Sequence, residues 1–137
     1  MSEIEFTVLL PDGWERPRGY SHGVRSVGSR RVHVAGQTGT QEDAPGDVPG
    51  GGFGAQFGRA LERVVQVMAS AGGGAEHITA MRLYVTSLEA YRGAGAALGG
   101  AWNAHMGRNF PAITLVEVSG LIDPHALVEI EAEGVLP

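Results

Sequence analysis

The feature that most constrains the fold of this chain is the stretch over residues 110–133, FPAITLVEVSGLIDPHALVEIEAE. Two runs in it, over 113–118 and 126–133, combine alternation with β-branched residues and predict strands. The segment between them contains Gly, Asp and Pro and predicts a turn-rich connection. We therefore expect the rest of the chain to pack around a sheet that includes both strands.

Successive residues of a strand point to opposite faces, so each predicted strand has two sides. In the second strand Val128, Ile130 and Ala132 form a plain core face. The opposite side of the sheet mixes apolar residues with carboxylates, which exposure to solvent alone does not explain, and we expect it to meet a second chain or a ligand. The residues assigned to this uncovered face are His33, Arg82, Tyr84, Ile113, Leu115, Glu117, Glu129 and Glu131.

Periodicity assigns the remaining elements. A helix over 53–71 has apolar residues at helical spacing and ends at three glycines. A second helix follows a capping box that begins at Thr86, and it runs to about residue 105. The strands at 24–27 and 31–36 are predicted to form a hairpin turned at Gly28 and Ser29. Further strands are predicted over 4–10 and 78–85, and a polar loop over 38–52.

Two helices can cover only one face of a sheet of about six strands, so the predicted fold is a two-layer α/β sandwich with a mixed sheet. At 137 residues the chain is expected to form one domain over 1–137. The uncovered face holds too much apolar surface to stay solvated, which favours an oligomer. Ligand pockets would then lie in clefts between subunits.

The composition excludes several classes of site. The chain has no cysteine, which excludes disulfides, thiolate zinc sites and a cysteine nucleophile. Its five histidines show no spacing typical of a metal site, and we expect neither metal nor cofactor. The formal net charge of −5 argues against a nucleic-acid partner. No apolar run is long enough to span a bilayer and no leader opens the chain, so we expect a cytoplasmic protein without a membrane partner.

Residues 19–23, GYSHG, match the G-x-S-x-G pattern of a hydrolase nucleophile elbow. That elbow requires a strand before it and a helix after it. Here a proline-containing loop precedes and a strand follows, so we interpret the motif as a turn entering a strand. His22 is kept as a candidate binding residue because it stands beside Tyr20 in this loop.

Three glutamates, Glu129, Glu131 and Glu133, repeat on one face of the second predicted strand. A carboxylate in such a place can act as a general base that activates water. It can also pair across the sheet with Arg82, Arg31 or a neighbouring subunit. Pairing is the favoured interpretation for Glu131 and Glu133.

Six segments of the chain together are typical of one protein family. They are RPRGYS (16–21), VHVAGQ (32–37), ALERVVQVMASAG (60–72), RLYVTSL (82–88), FPAITLVEV (110–118) and LVEIEA (127–132). With them the chain resembles the Rid superfamily, the YjgF/RidA group also labelled endoribonuclease L-PSP, for which the last two segments are quite specific. The resemblance implies a chorismate-mutase-like α/β fold and a homotrimer with three clefts between subunits. In the best-known branch the implied activity is hydrolysis of reactive enamines and imines to 2-oxo acids and ammonia, without metal or cofactor.

The resemblance also implies roles for single residues. Glu129 matches the family glutamate that positions or activates water, and Tyr20 matches the tyrosine that lines the cleft. Gly36 matches the strand-end glycine whose backbone approaches the ligand. Gln37 ends the same motif and is expected to be a substrate-binding residue as well.

The chain departs from the family at the position that follows FPA. The deaminating branch has an arginine there that binds the substrate carboxylate, whereas this chain has Ile113, which offers only apolar contact. Leu115 makes the expected cleft still more apolar. Arg18, Arg82 or a cation of a neighbouring subunit could replace the missing arginine.

Three functional hypotheses follow. The first is hydrolysis of an imine or enamine more apolar than a simple 2-imino acid, with Glu129 handling water and Tyr20 hydrogen-bonding the polar end of the substrate. The second is a non-catalytic trimer that binds a small apolar or aromatic metabolite in its clefts. The third is an endoribonuclease, which the negative net charge and the absence of a basic stripe in the sequence make the least favoured.

Overall fold

The computed structural model describes residues 4–45, 47 and 50–137. The predicted loop over 38–52 includes positions 46, 48 and 49, and that part of it lies outside the described residues. The predicted α/β class is confirmed. The elements in chain order are β1 (Glu5–Leu9), β2 (Gly23–Val27), β3 (Arg30–Thr38), α1 (Phe53–Ser70), β4 (Ile78–Val85), α2 (Leu88–Gly93), α3 (Gly95–His105), β5 (Ala112–Glu117) and β6 (Val128–Leu136).

These strands form a four-stranded mixed sheet and a separate two-stranded ribbon. The order in the sheet is β3-β6-β4-β5, with β4 and β5 parallel and the other neighbours antiparallel. The ribbon pairs β1 with β2. The two strands predicted from the 110–133 stretch are both in the sheet, but β4 lies between them.

The predicted hairpin turned at Gly28 and Ser29 is wrong, because β2 pairs with β1 while β3 pairs with β6. A two-residue hairpin turn needs a positive φ at its first central residue, and Gly28 does not have one. Instead the Ser29 N–H donates to the carbonyl of Leu136 at 2.9 Å, at the end of β6. The chain therefore turns onto β6 rather than back onto β2.

The helix α1 follows its prediction closely. Its apolar face is buried against the sheet, and Leu61, Val64 and Met68 are fully inaccessible to solvent. The helix ends where Gly72 adopts a φ of 88°, and the Gly73 N–H donates to the Met68 carbonyl at 3.0 Å. This is a Schellman cap, in which a left-handed glycine satisfies the last carbonyls of a helix.

The predicted second helix is divided in two. The chain breaks at Ala94 between α2 and α3, and Gly95 has a φ of 27°. The cap is one residue later than predicted, because the Ser87 hydroxyl, not that of Thr86, accepts the Ala90 N–H at 3.0 Å. None of the helices in the described ranges is long and apolar enough to cross a membrane.

The face assigned to Ile113 and Leu115 is wrong. In the parallel register Ile113 pairs with Met81 and Leu115 with Leu83, so both point to the side that the helices cover. The alternation predicted for β5 is correct, but its register with β4 decides which residues face the helices and which face away from them. Glu117 also lies on the helix side, where it accepts the Leu88 N–H at 2.8 Å.

The side of the four-stranded sheet away from α1 is called the open face here. It is more polar than expected, since Thr114 and Val116 take the places predicted for isoleucine and leucine. The open face therefore favours an oligomer less strongly than expected, because Ile113 and Leu115 do not contribute apolar surface to it. The open face carries His33, Arg82, Tyr84, Thr114, Val116, Glu129, Glu131 and Glu133.

Candidate functional site

A cavity of about 820 Å³ lies between the helices and the edge strand β5. It forms there because α1 packs over β3 and β6, which leaves the helix-facing side of β5 only partly covered. Its apolar lining residues are Phe57, Leu83, Tyr91, Leu98, Trp102, Phe110, Ile113 and Leu115. The rest of the lining is Arg18, Gly19, Tyr20, Gly99, Asn103, Gly107 and Arg108.

One wall of this cavity is held by stacking of two aromatic rings and by hydrogen bonds of Asn109. The rings of Trp102 and Phe110 stack with centroids 6.1 Å apart and planes 5° from parallel. The indole N–H of Trp102 donates to the Asn109 carbonyl at 3.1 Å. The side-chain amide of Asn109 donates to the carbonyls of Ala75 and Ile78 at 2.6 and 2.9 Å. The segment that carries Phe110 is thereby tied to the start of β4.

The loop that carries Tyr20 is held by Ser21. The Ser21 N–H donates to the Pro111 carbonyl at 3.0 Å, and its hydroxyl donates to the Phe110 carbonyl at 2.5 Å. Ser21 is buried while Tyr20 is exposed at the cavity. Within the GYSHG motif, serine is thus an anchor of the loop to β5, in agreement with the interpretation of the motif as a turn entering a strand.

His22 packs beside Tyr20 but does not line the cavity. Its ring meets those of Trp14 and Tyr20 edge-on, with centroid distances of 5.0 and 5.6 Å. Among the predicted site residues, the structure brings Arg18, Tyr20, Ile113 and Leu115 together at the cavity. It places the other three, Gly36, Gln37 and Glu129, elsewhere.

Glu129 and Gly36 meet on the open face, on the other side of the sheet from the cavity. Glu129 stands opposite Thr38 of β3 and Tyr84 of β4. Gly36 belongs to a bulge, where the pairing with β6 shifts register between Val34 and Gln37. A Cβ added to Gly36 would collide with the Glu129 carboxylate, so only glycine leaves that side chain in its present position.

Gln37 is buried, and both ends of its amide are used internally. Its Oε1 accepts a hydrogen bond from Arg63 Nε at 3.1 Å, and its Nε2 donates to the Ala35 carbonyl at 3.1 Å. Arg63 of α1 is buried by these contacts and by Asp47. Gln37 therefore holds the bulge in place from the interior.

The open face also carries the ion pairs that the glutamate pattern favoured. Arg82 Nε contacts Glu131 Oε1 at 2.9 Å, and its Nη2 contacts Glu133 Oε1 at 2.8 Å. The Tyr84 hydroxyl donates to the same Glu131 oxygen. That hydrogen bond, together with Arg82, lowers the pKa of Glu131, and it raises the pKa of Tyr84. Arg82 is thus paired on the face opposite the cavity of its own subunit.

The described part of the cavity wall lacks the side chains that most often serve as general bases. Among the described residues that line it there is no carboxylate and no histidine. No cluster of three or more histidine, aspartate or glutamate side chains in the described ranges is arranged to hold a metal ion. The wall offers apolar surface, the hydroxyls of Tyr20 and Tyr91, the Asn103 amide and two guanidinium groups.

Sequence reasoning missed Arg108 and Asn103. Arg108 stands two residues before the FPA segment, and its proximity to that segment is the one signal that could have marked it. Trp102 packs against the core from its helix and also lines the cavity.

Comparison with known proteins places the chain in a defined group. Residues 15–135 match the family model described as Endoribonuclease L-PSP. Among curated protein sequences, none matches this chain significantly. The α/β fold is shared with solved structures of the Rid and YjgF group, which confirms the chorismate-mutase-like fold that the resemblance implied.

Three such structures illustrate the similarity. YyfB of the Rid family from Yersinia pestis has 27% identity and a TM-score of 0.78, over 96% of this chain and 98% of that one. Rv2704 from Mycobacterium tuberculosis, of the YjgF/YER057c/UK114 family, has 31% identity and a TM-score of 0.62, over 98% and 100%. RidA from the Antarctic bacterium Psychrobacter has 26% identity and a TM-score of 0.65, over 95% and 99%.

Proposed function

Because the chain belongs to the endoribonuclease L-PSP family, the family of the Rid and YjgF proteins, we propose that it hydrolyses an imine or enamine of a small metabolite without a cofactor. The observation that carries this proposal is the cavity in which Tyr20 meets Ile113 and Leu115. With isoleucine in place of the arginine of the deaminating branch, the substrate is more apolar than a simple 2-imino acid.

The reaction is an addition of water followed by loss of the amine. Water forms a C–O bond to the imine carbon as Glu129 takes one of its protons, and the C=N electron pair becomes a nitrogen lone pair that takes this proton from Glu129, which gives a carbinolamine. Glu129 then accepts the hydroxyl proton as the C=O bond forms and gives it to nitrogen as the C–N bond breaks and the amine leaves, so it acts as a general base and a general acid in each step. Tyr20 hydrogen-bonds the polar end of the substrate and orients it.

These roles of Glu129 and Tyr20 require more than one copy of the chain. Glu129 lies on the open face and the cavity on the helix side, so a single subunit does not bring Glu129 and Tyr20 to one substrate. We therefore include in the proposal a homotrimer in which Glu129 of each subunit completes the cavity of its neighbour. Closed cyclic symmetry then gives three equivalent clefts.

The second candidate is a trimeric protein that binds the same class of metabolite without converting it. One observation favours it: among the described residues, the cavity wall contains no carboxylate or histidine. A ribonuclease is the least supported, because the formal net charge of −5 opposes phosphate-backbone binding.

The test is an imine hydrolysis assay on the wild type, Glu129→Gln and Ile113→Arg, with 2-iminopropanoate and an aromatic 2-imino acid as substrates. We expect the wild type to prefer the aromatic substrate, and Glu129→Gln to lower kcat by about 10²-fold or more, the usual contribution of a general base. We expect Ile113→Arg to gain activity on 2-iminopropanoate through a new carboxylate contact.

The matched control is Glu133→Gln, which removes a carboxylate from the same strand face but keeps Glu129. It should retain wild-type turnover and the same oligomer mass by light scattering. Full activity of Glu129→Gln would refute the role of that residue. If the wild type binds the substrate but hydrolyses it no faster than water alone does, the binding protein replaces the hydrolase.

A further inference from the structure

Two arginines on the cavity wall, Arg18 and Arg108, differ in their partners from the arginines that form ion pairs. Arg59, Arg63 and Arg82 each pair with one or more carboxylates. Within the described residues, neither Arg18 nor Arg108 forms an ion pair. An arginine fork with no internal carboxylate is available to bind an anion from outside.

The cavity wall carries positive charge although the whole protein has a negative net charge. The chain has a formal net charge of −5, yet the only charged residues among the described lining of the cavity are these two arginines. A concave site lined by one sign of charge and low-dielectric walls attracts ions of the opposite sign. The cavity is therefore suited to a negatively charged ligand.

The remainder of the wall is suited to a flat apolar body. Trp102 and Phe110 present nearly parallel rings, with Leu98 and Ile113 also at the cavity. A volume of about 820 Å³ lies within the range of pockets that enclose whole organic ligands, and it is far larger than a three-carbon acid requires. Aromatic faces favour contact with another aromatic ring.

We infer that the cavity binds an aromatic carboxylate, with its ring against Trp102 and its carboxylate at Arg108 and Arg18. The inference rests on the proposed function in that the same cavity holds the substrate, and it adds the substrate class: aromatic 2-imino acids rather than small ones. It also moves the anion-binding role from position 113 on β5 to the segment that follows α3. Arg108 is then a specificity-determining residue.

The experiment measures binding by calorimetry with three probes that separate charge from shape: phenylacetate, phenylacetamide and acetate. The wild type should bind phenylacetate at least roughly tenfold more tightly than either of the others, the scale of one charge-assisted hydrogen-bonded pair. Arg108→Gln, alone or with Arg18→Gln, should remove the preference for phenylacetate over phenylacetamide. Trp102→Leu should weaken both aromatic probes and leave their ratio unchanged.

The matched control is Arg25→Gln, which removes an exposed arginine of β2 that does not line the cavity. It should bind all three probes as the wild type does. Equal affinities of phenylacetate and phenylacetamide for the wild type would overturn the inference. So would a preference that survives in the Arg18→Gln, Arg108→Gln double variant, or no detectable binding of phenylacetate at millimolar concentration.

Repeating the titration on Glu129→Gln separates this inference from the proposed function. Selective binding of phenylacetate by both proteins, with no hydrolytic activity in the wild type, would support the inference and refute the hydrolase. Imine hydrolysis that depends on Glu129, with no preference among the probes, would support the hydrolase and refute the inference.

Discussion

Gly36 and Glu129 show how a single missing Cβ sets the position of a candidate catalytic group. The glycine lies in a bulge, and its surface is covered by the glutamate side chain. The interior amide of Gln37 supports the bulge through the Ala35 carbonyl. The course of the backbone at Gly36 thus sets the position of the Glu129 carboxylate through direct contact.

We expect Gly36→Ala to reduce turnover strongly while the protein still folds. The added methyl group would meet only the Glu129 side chain among its nearest atoms, so the carboxylate has to move but the backbone need not. Misplacing a general base by about 1 Å lowers rates by about 10²-fold. Steady-state kinetics should show a loss in kcat with little change in the thermal midpoint.

The control for this prediction is Gly58→Ala in α1, where an added Cβ would lie 3.5 Å from the Cβ of Ala101, an ordinary contact. It should leave kcat unchanged and raise stability slightly, because alanine favours helix over glycine. If Gly36→Ala keeps full activity, Glu129 does not depend on the bulge.

At the scale of elements, α1 is tied to the loop before it by Asp47. Arg63 contacts Asp47 at 2.7 Å, and Arg59 contacts its other carboxylate oxygen. The hydrogen bond from Arg59, with further help from Arg63 and the Ala44 N–H, lowers the pKa of Asp47 from 3.8 to about 2 against the opposing effect of burial. The ion pairs of Asp47 with Arg59 and Arg63 therefore join the loop to the helix that covers the sheet.

We expect Asp47→Asn to lower the thermal midpoint at neutral pH. A folded-state pKa below the unfolded value stabilises the protein fully above about pH 4, and this stabilisation is lost as the pH falls through about 2. The difference between wild type and variant should therefore shrink below pH 4. Thermal unfolding at a series of pH values measures it.

Asp43→Asn serves as the comparison, since Asp43 also contacts Arg63 but its side chain is 69% exposed. Its effect should be smaller at every pH. If the thermal midpoint of Asp47→Asn stays below that of the wild type by a constant amount down to pH 2, the ionised carboxylate is not what stabilises the contact between the loop and α1.

The elements that could be predicted are those whose signals are local. The bounds of β4 and the end of α1 at Gly72 follow from alternation, helical spacing and glycine chemistry within the segments themselves. The faces of β5 could not be assigned in this way. Ile113 and Leu115 turn to the helix side because β5 is a parallel edge strand in register with β4, and that pairing is non-local.

The same limit applies to the candidate site. Tyr20 and Ile113 could be identified from motifs, but the motifs did not indicate that Glu129 lies across the sheet from them. Arg108 belongs to no motif, and it lines the cavity just before Asn109 and Phe110, which hydrogen bonds to Ala75 and Ser21 hold in place.

At the scale of the whole molecule, the proposed trimer has a consequence that mixing of variants can measure. Glu129→Gln removes the water-activating group, and Tyr20→Ala removes a cavity residue, so each homotrimer should be inactive. After joint unfolding and reassembly, about a quarter of the clefts should combine an intact cavity with an intact Glu129 from a neighbour. Activity should return to about that fraction of the wild-type value.

A double variant, Tyr20→Ala with Glu129→Gln, mixed in the same way with either single variant is the control and should stay inactive. If the two single variants do not complement each other while light scattering shows mixed trimers, the two residues do not share a cleft between subunits.

The Asn109 bonds that fix the cavity wall also bear on its thermodynamics. Because Trp102, Phe110 and the start of β4 are already held together, the wall is ordered before any ligand arrives. A ligand that enters therefore loses little of its binding free energy to ordering the protein. We therefore expect occupancy of the cavity to leave the rest of the subunit unchanged.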